Sequence, residues 1–254
     1  MNRPKPRCRR MRCRAAGPVS LIAVVTIAGL TWIGANTGGG EQGAAPSMTT
    51  SAPAPPLSSP TAPVSPSIAK AQLDSLDVKG RAPKTGYDRS EFGQAWTDDV
   101  NVPEGHNGCD TRNDVLRRDL TAITVRPGTR DCVVLTGVLV DPYSGKTIAF
   151  VRGEKTSPAV QIDHVVALSD AWQKGAAQWD KAKRTDFAND PANLQATDGP
   201  TNQQKGNGDS ATWLPPNKAY RCTYVARQME VKARYGLWVT TAEKDAMVGV
   251  LSTC

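Results

Sequence analysis

The stretch Val160-Gln161-Ile162-Asp163-His164-Val165-Val166 constrains the fold of this chain more than any other. It has the β-branched, apolar character of a core strand. Yet it carries one of only two histidines in 254 residues, directly beside a carboxylate. Side chains alternate across a strand, so Ile162 and His164 share one face while Gln161, Asp163 and Val165 share the other. Two polar groups ending a core strand must be paired or must hold something. A divalent metal with a phosphate fits that requirement. For both groups to reach one phosphate, the strand must end or bend at this pair.

Around this strand the chain alternates helical and strand patterns. Residues 68–76 and 114–120 read as short helices, the second with Thr111 or Asn113 as its cap. Residues 132–140 are rich in β-branched side chains and read as a strand. Asp141-Pro142-Tyr143-Ser144-Gly145 has Pro and Gly where a turn uses them, and 146–151 returns as the second arm of a hairpin. Residues 169–179 and 181–188 look helical, and 193–197 is a short strand suited to pairing with the Asp-His strand. The longest helical pattern is 217–235, with Val225, Met229 and Lys232 on one side. A final helix spans 240–251, with a Thr cap and Glu243 near its start. Together these elements predict an α+β fold.

The first 67 residues carry an export signature. Arg3, Lys5, Arg7, Arg9, Arg10, Arg12 and Arg14 precede an apolar run, 19–35, that holds no charge. Residues 1–35 are expected to be a signal peptide or an uncleaved signal anchor. The positive-inside rule puts the chain beyond residue 35 outside the cytoplasm, tied to the membrane if the leader is retained. Residues 36–67, rich in Pro, Ser, Ala, Thr and Gly, are expected to be a disordered spacer. Residues 68–254 form the folded domain. The formal net charge of +7 belongs to the leader. Without its seven basic residues, 24 of the 31 remain against 24 acidic ones. Total charge is therefore no argument for nucleic-acid binding, and a basic groove must come from local placement.

Cys8 and Cys13 lie in the leader, while Cys109, Cys132, Cys222 and Cys254 lie in the domain. An even number in an exported domain predicts two disulfides. Three pairings are possible. Cys109 with Cys132 and Cys222 with Cys254 is favoured, because each pair belongs to one local segment. A zinc site competes, but no Cys-x-x-Cys pair supports it.

Downstream of Asp163-His164 come Asn193, in Asn189-Asp190-Pro191-Ala192-Asn193-Leu194-Gln195, and then Thr201-Asn202-Gln203-Gln204-Lys205-Gly206. In this ordered set the chain resembles the HNH, or ββα-metal, endonucleases. The form is the Asp-His…Asn…Asn variant found in the HNH domain of RNA-guided effector nucleases. It resembles more closely the exported HNH proteins related to the C-terminal domain of GmrSD-type restriction enzymes. That likeness covers roughly residues 96–235. It includes Gly108-Cys109-Asp110-Thr111-Arg112-Asn113, the Asp141 to Gly145 turn and Thr212-Trp213-Leu214-Pro215-Pro216. The resemblance implies a hairpin-and-helix core embedded in additional helices and a small antiparallel sheet. The stretch with Trp172 and Trp179 would be an insertion in that core.

The resemblance also implies a division of labour. His164 would be the general base, since a neutral imidazole suits that task near neutral pH. Asp163 and Asn202 would hold one divalent metal. Oxygen ligands favour Mg²⁺, or Mn²⁺, over Zn²⁺. Asn193 would brace the loop behind the strand and so fix His164. Lys205, one helical turn beyond Asn202, and Arg112 would contact the phosphate. The substrate would be DNA, or also RNA, read mostly through phosphates and so with low sequence specificity. No protein partner is inferable from the sequence. Taken singly, these residues have plainer readings. Asn193 and Asn202 suit turns and caps, Lys205 a solvated surface, Arg112 a helix-end salt bridge, and the tryptophans core anchors. The rival function is a non-catalytic cell-envelope binding or structural module that retains the fold.

Overall fold

The computed structural model describes residues 66–254. The 1–35 leader, with Cys8 and Cys13, and nearly all of the 36–67 spacer lie outside the described residues. Helix α1 (Pro66–Asp74) leads through a long irregular segment to α2 (Thr111–Asp119). The cap of α2 is Asp110, whose carboxylate accepts from the Asn113 backbone N–H, so the helix starts three residues before the expected point. Strands β1 (Thr121–Val125), β2 (Val134–Val140) and β3 (Thr147–Val151) form an antiparallel sheet in that order. The β2–β3 hairpin is the expected one. β1 has no counterpart in the sequence pattern, because this edge strand is almost wholly exposed and its burial does not alternate.

β4 (Val160–His164) ends at the Asp-His pair and runs antiparallel to β5 (Leu194–Asp198), with Asp163 opposite Gln195 and His164 opposite Leu194. Between them lie α3 (Leu168–Gln173) and α4 (Lys181–Asn189). The helical pattern over 169–179 is broken in the structure: Gly175 takes φ +131°, and only a 3-10 turn comes after it. α5 (Gly199–Lys205) leaves β5 at once, because Asp198 caps it by accepting from the Thr201 N–H and Pro200 occupies its first turn. α6 (Arg221–Tyr235) and α7 (Thr241–Leu251) close the chain, the latter capped by Thr240. The fold is α+β. No helix of the described residues is long and apolar enough to cross a membrane.

Three apolar clusters hold these elements. One joins α2 and the three-stranded sheet to the β4–β5 pair through Leu116, Val134, Phe150, Val160, Ile162 and Leu194. The second packs the α3–α4 insertion on α6 through Phe92, Trp172, Phe187, Val231 and Tyr235. A third gathers α1, α6 and α7 around Tyr143, Tyr224 and Met229. Each fully buried side chain of this size stabilises the fold by about 1.5–3 kcal/mol. Disulfides join Cys109 to Cys132, ahead of β2, and Cys222, in the first turn of α6, to Cys254. In consequence β4 is held on one face by the apolar cluster and on the other by α5, which leaves its C-terminal end free to carry chemistry.

Candidate active site

α5 lies over the face of β4 that carries Gln161 and Asp163. The Asn202 amide N–H donates to Gln161 Oε1 at 2.9 Å, and Lys205 Nζ donates to Asp163 Oδ1 at 2.9 Å and to the His164 carbonyl at 2.7 Å. Lys205 is buried, with its ammonium enclosed between these partners. The expectation that Lys205 contacts a phosphate is therefore corrected. A buried carboxylate must be paired, and Lys205 supplies the counter-charge.

The other Asp163 oxygen accepts from the Tyr143 hydroxyl at 2.8 Å. Tyr143 comes from the Asp141 to Gly145 turn, where the Asp141 carboxylate accepts from the backbone N–H groups of Tyr143 and Ser144 and from the Thr197 hydroxyl of β5. The turn motif thus anchors the hairpin to β5 and aims Tyr143 at the site. Burial pushes the Asp163 carboxyl above its ordinary range, while Lys205 and the Tyr143 hydrogen bond oppose that shift.

His164 points to the opposite face. Its Nε2 lies 2.9 Å from the Ala188 carbonyl. A carbonyl oxygen only accepts, so Nε2 carries the proton and Nδ1 is left as the basic nitrogen. No described residue pairs with Nδ1. Burial, and then the nearby Arg89 guanidinium, push the imidazole down to about 3, which keeps it neutral. Asn193 lies behind it, fully buried: its side-chain oxygen accepts from the Val166 N–H at 2.8 Å, and its backbone carbonyl accepts from the Val165 N–H at 2.7 Å. Asn193 lines neither of the cavities at His164. It holds the backbone just after His164 and so is a positioning residue.

The imidazole stacks on Trp96, with ring centroids 6.0 Å apart and planes 16° from parallel. Trp96 has φ +61°, a conformation that bulky residues rarely adopt and that surrounding contacts must hold. Its carbonyl accepts from the Thr111 N–H at the start of α2.

Asp163, His164 and Asn202 line one polar cavity of about 420 Å³, together with Arg89, Arg112 and Gln161. The Arg112 guanidinium also donates to the Val160 carbonyl, which sets it against the start of β4. Desolvation lowers the Arg112 pKa, with Arg152 adding to the shift. The oxygen donors facing this cavity are few. Asp163 has two of its four lone-pair positions taken, and Asn202 turns its amide N–H to Gln161, so its oxygen is unpaired among the described residues. Such a pair suits a hard cation that keeps most of its shell as water and phosphate oxygen. No group of three or more His, Cys, Asp or Glu side chains suited to a metal occurs among the described residues.

Tyr143, Arg89 and Trp96 went unassigned at the level of sequence. Tyr143 had a signal, since it sits inside the matching turn motif. Arg89 and Trp96 had none, because they reach the site from an irregular segment some 70 residues before β4.

Residues 110–250 match the family described as GmrSD restriction endonucleases, C-terminal domain. The chain is also 39% identical over 205 residues to a protein of Arthroderma benhamiae named only as an uncharacterized secreted protein, covering 79% of this chain and 93% of that one. No solved structure matches. The chain belongs to the GmrSD C-terminal-domain family, a nuclease-related family. With two disulfides and a secreted relative, its folded domain lies outside the cytoplasm.

Proposed function

We propose that this exported member of the family is an HNH-type endonuclease that hydrolyses phosphodiester bonds of DNA, or also RNA, with low sequence specificity. One observation carries the reading: the β4–β5–α5 unit brings Asp163, His164 and Asn202 to one cavity that two arginines also line.

In this reading Arg89 and Arg112 bind the phosphate, since guanidinium forks match phosphate oxygens. His164 Nδ1 accepts a proton from the attacking water while Nε2 stays bonded to Ala188. An imidazole held near pKa 3 is a weak base. The arriving phosphate anion counters the Arg89 charge that helps depress it, which moves the imidazole toward a useful range. Asp163 and Asn202 would hold a divalent cation, Mg²⁺ or Mn²⁺, whose chemistry is to neutralise charge on the phosphate and the leaving oxygen. Lys205 and Tyr143 fix the Asp163 carboxylate, and Asn193 and Trp96 fix the imidazole.

The test is plasmid nicking by the disulfide-intact domain with Mg²⁺, with and without EDTA, comparing wild type with His164→Ala. Cleavage that needs metal and falls by roughly 10²–10⁴-fold in the variant supports the reading. A folded, Mg²⁺-supplied protein that cuts neither DNA nor RNA overturns it and leaves the non-catalytic envelope module.

A further inference from the structure

On the other side of Trp96 and His164 lies a second cavity, of about 220 Å³. We propose that it receives one nucleobase of the cleaved strand, next to the reacting phosphate. The preferred substrate is then nucleic acid with an unpaired base at that position, a single strand or an opened duplex. The inference rests on the nuclease reading above and adds the class of substrate.

The two cavities share Arg89, Trp96, His164 and Leu168 as common walls, so they are neighbouring compartments of one site. Their chemistry differs. The larger one holds Asp163, Asn202, Gln161 and Arg112 and suits an anion. In the smaller one Phe92, Leu168 and Ala188 form an apolar floor, and the Trp96 ring forms a side. A phosphate gains nothing there, whereas the flat apolar body of a base does. The volume suits one ring system and no longer segment.

Asn189 also lines this wall, an amide N–H of its side chain donating to the Thr185 carbonyl. Trp96, whose backbone has φ +61°, lines both compartments. A base stacked and paired within a duplex cannot enter, because it must first leave its stack.

The test is equilibrium binding, read by fluorescence anisotropy in EDTA. The probes are an oligothymidylate dodecamer, a matching abasic deoxyribose-phosphate chain, and the dodecamer annealed to oligoadenylate. Wild type is expected to bind the oligothymidylate roughly tenfold more tightly than the abasic chain, the worth of one stacked base. Ala95→Leu fills the apolar cavity from its exposed rim and touches nothing in the polar one. It is expected to erase that preference and leave abasic binding unchanged. Equal wild-type affinity for the two chains overturns the base subsite alone. So does a preference that survives Ala95→Leu, or a duplex bound as tightly as the single strand. Binding to no nucleic acid at all defeats the nuclease reading, and the subsite with it.

Discussion

Two regions of this domain bury charge, and they do so for different ends. Beneath the α3–α4 insertion, Arg81, Lys174 and Lys232 meet Asp170, Asp209 and Glu243. Lys174 alone lies 2.7 Å from Asp170, 2.8 Å from Asp209 and 2.6 Å from Glu243. Lys232 pairs with Asp170 and Glu243, and Arg81 with Asp170 and Asp209. Charges balance, and only Arg81 has a substantially exposed side chain. Burial alone would raise the Asp170 carboxyl, but Lys232, Lys174 and Arg81 outweigh it and hold the group below its usual range.

At the end of β4 the arrangement is sparser. Asp163 has one lysine and one hydroxyl, and burial wins, so its carboxyl is raised. It also borders a cavity, beside an unpaired Asn202 oxygen. The first network is charge-balanced and enclosed, whereas the second borders a cavity that a ligand can enter.

Matched substitutions sharpen this contrast. Lys174→Met leaves three carboxylates facing each other without their central cation, and is expected to reduce stability by about 3–5 kcal/mol in chemical denaturation. The fraction still folded is expected to keep the proposed cleavage activity. Lys205→Met makes the same lesion at the site. Because Asp163 borders a cavity and already takes up a proton more readily, the expected stability loss is smaller, about 1.5–3 kcal/mol, while cleavage collapses in the folded protein. Equal stability losses from the two variants would erase the distinction. Tyr143→Phe removes one hydrogen bond to Asp163. It is expected to cost about 1–2 kcal/mol and to weaken cleavage while preserving the fold by circular dichroism.

The last contrast is a pH slope. Well above pH 6.5 His164 is neutral in both folded and unfolded chains. As pH falls from 6.5 toward 3 the unfolded imidazole takes up a proton that the folded one refuses, so stability is lost across that window. His164→Gln is therefore expected to lose less stability than wild type between pH 7 and pH 5, measured by urea denaturation.

Several parts of the site were readable in the residues themselves. The pairing of the Asp-His strand with the 193–197 segment came from alternation and length, and β4 and β5 do pair in register. Faces were readable too: Ile162 packs into the apolar cluster while Gln161 and Asp163 meet α5. Lys205 was misread because spacing along a helix shows which face a residue occupies, not whether water reaches that face. Lys232 shared a side with Val225 and Met229 in the pattern, and it is indeed buried with them, but its acidic partners come from α3 and α7.

What the sequence determined by itself is local: strand and helix periods, the capping and turn residues, the order Asp163-His164, Asn193, Asn202, and the export context of the cysteines. These depend on neighbours a few residues apart, which alternation and helical pitch bring together. The tertiary structure decided which charges are spent and which remain available. Lys205 is consumed by Asp163, Tyr143 arrives from a distant turn, and Arg89 and Trp96 arrive from a segment with no regular pattern. Burial and pairing are properties of groups far apart in the chain, and no period along the sequence records them.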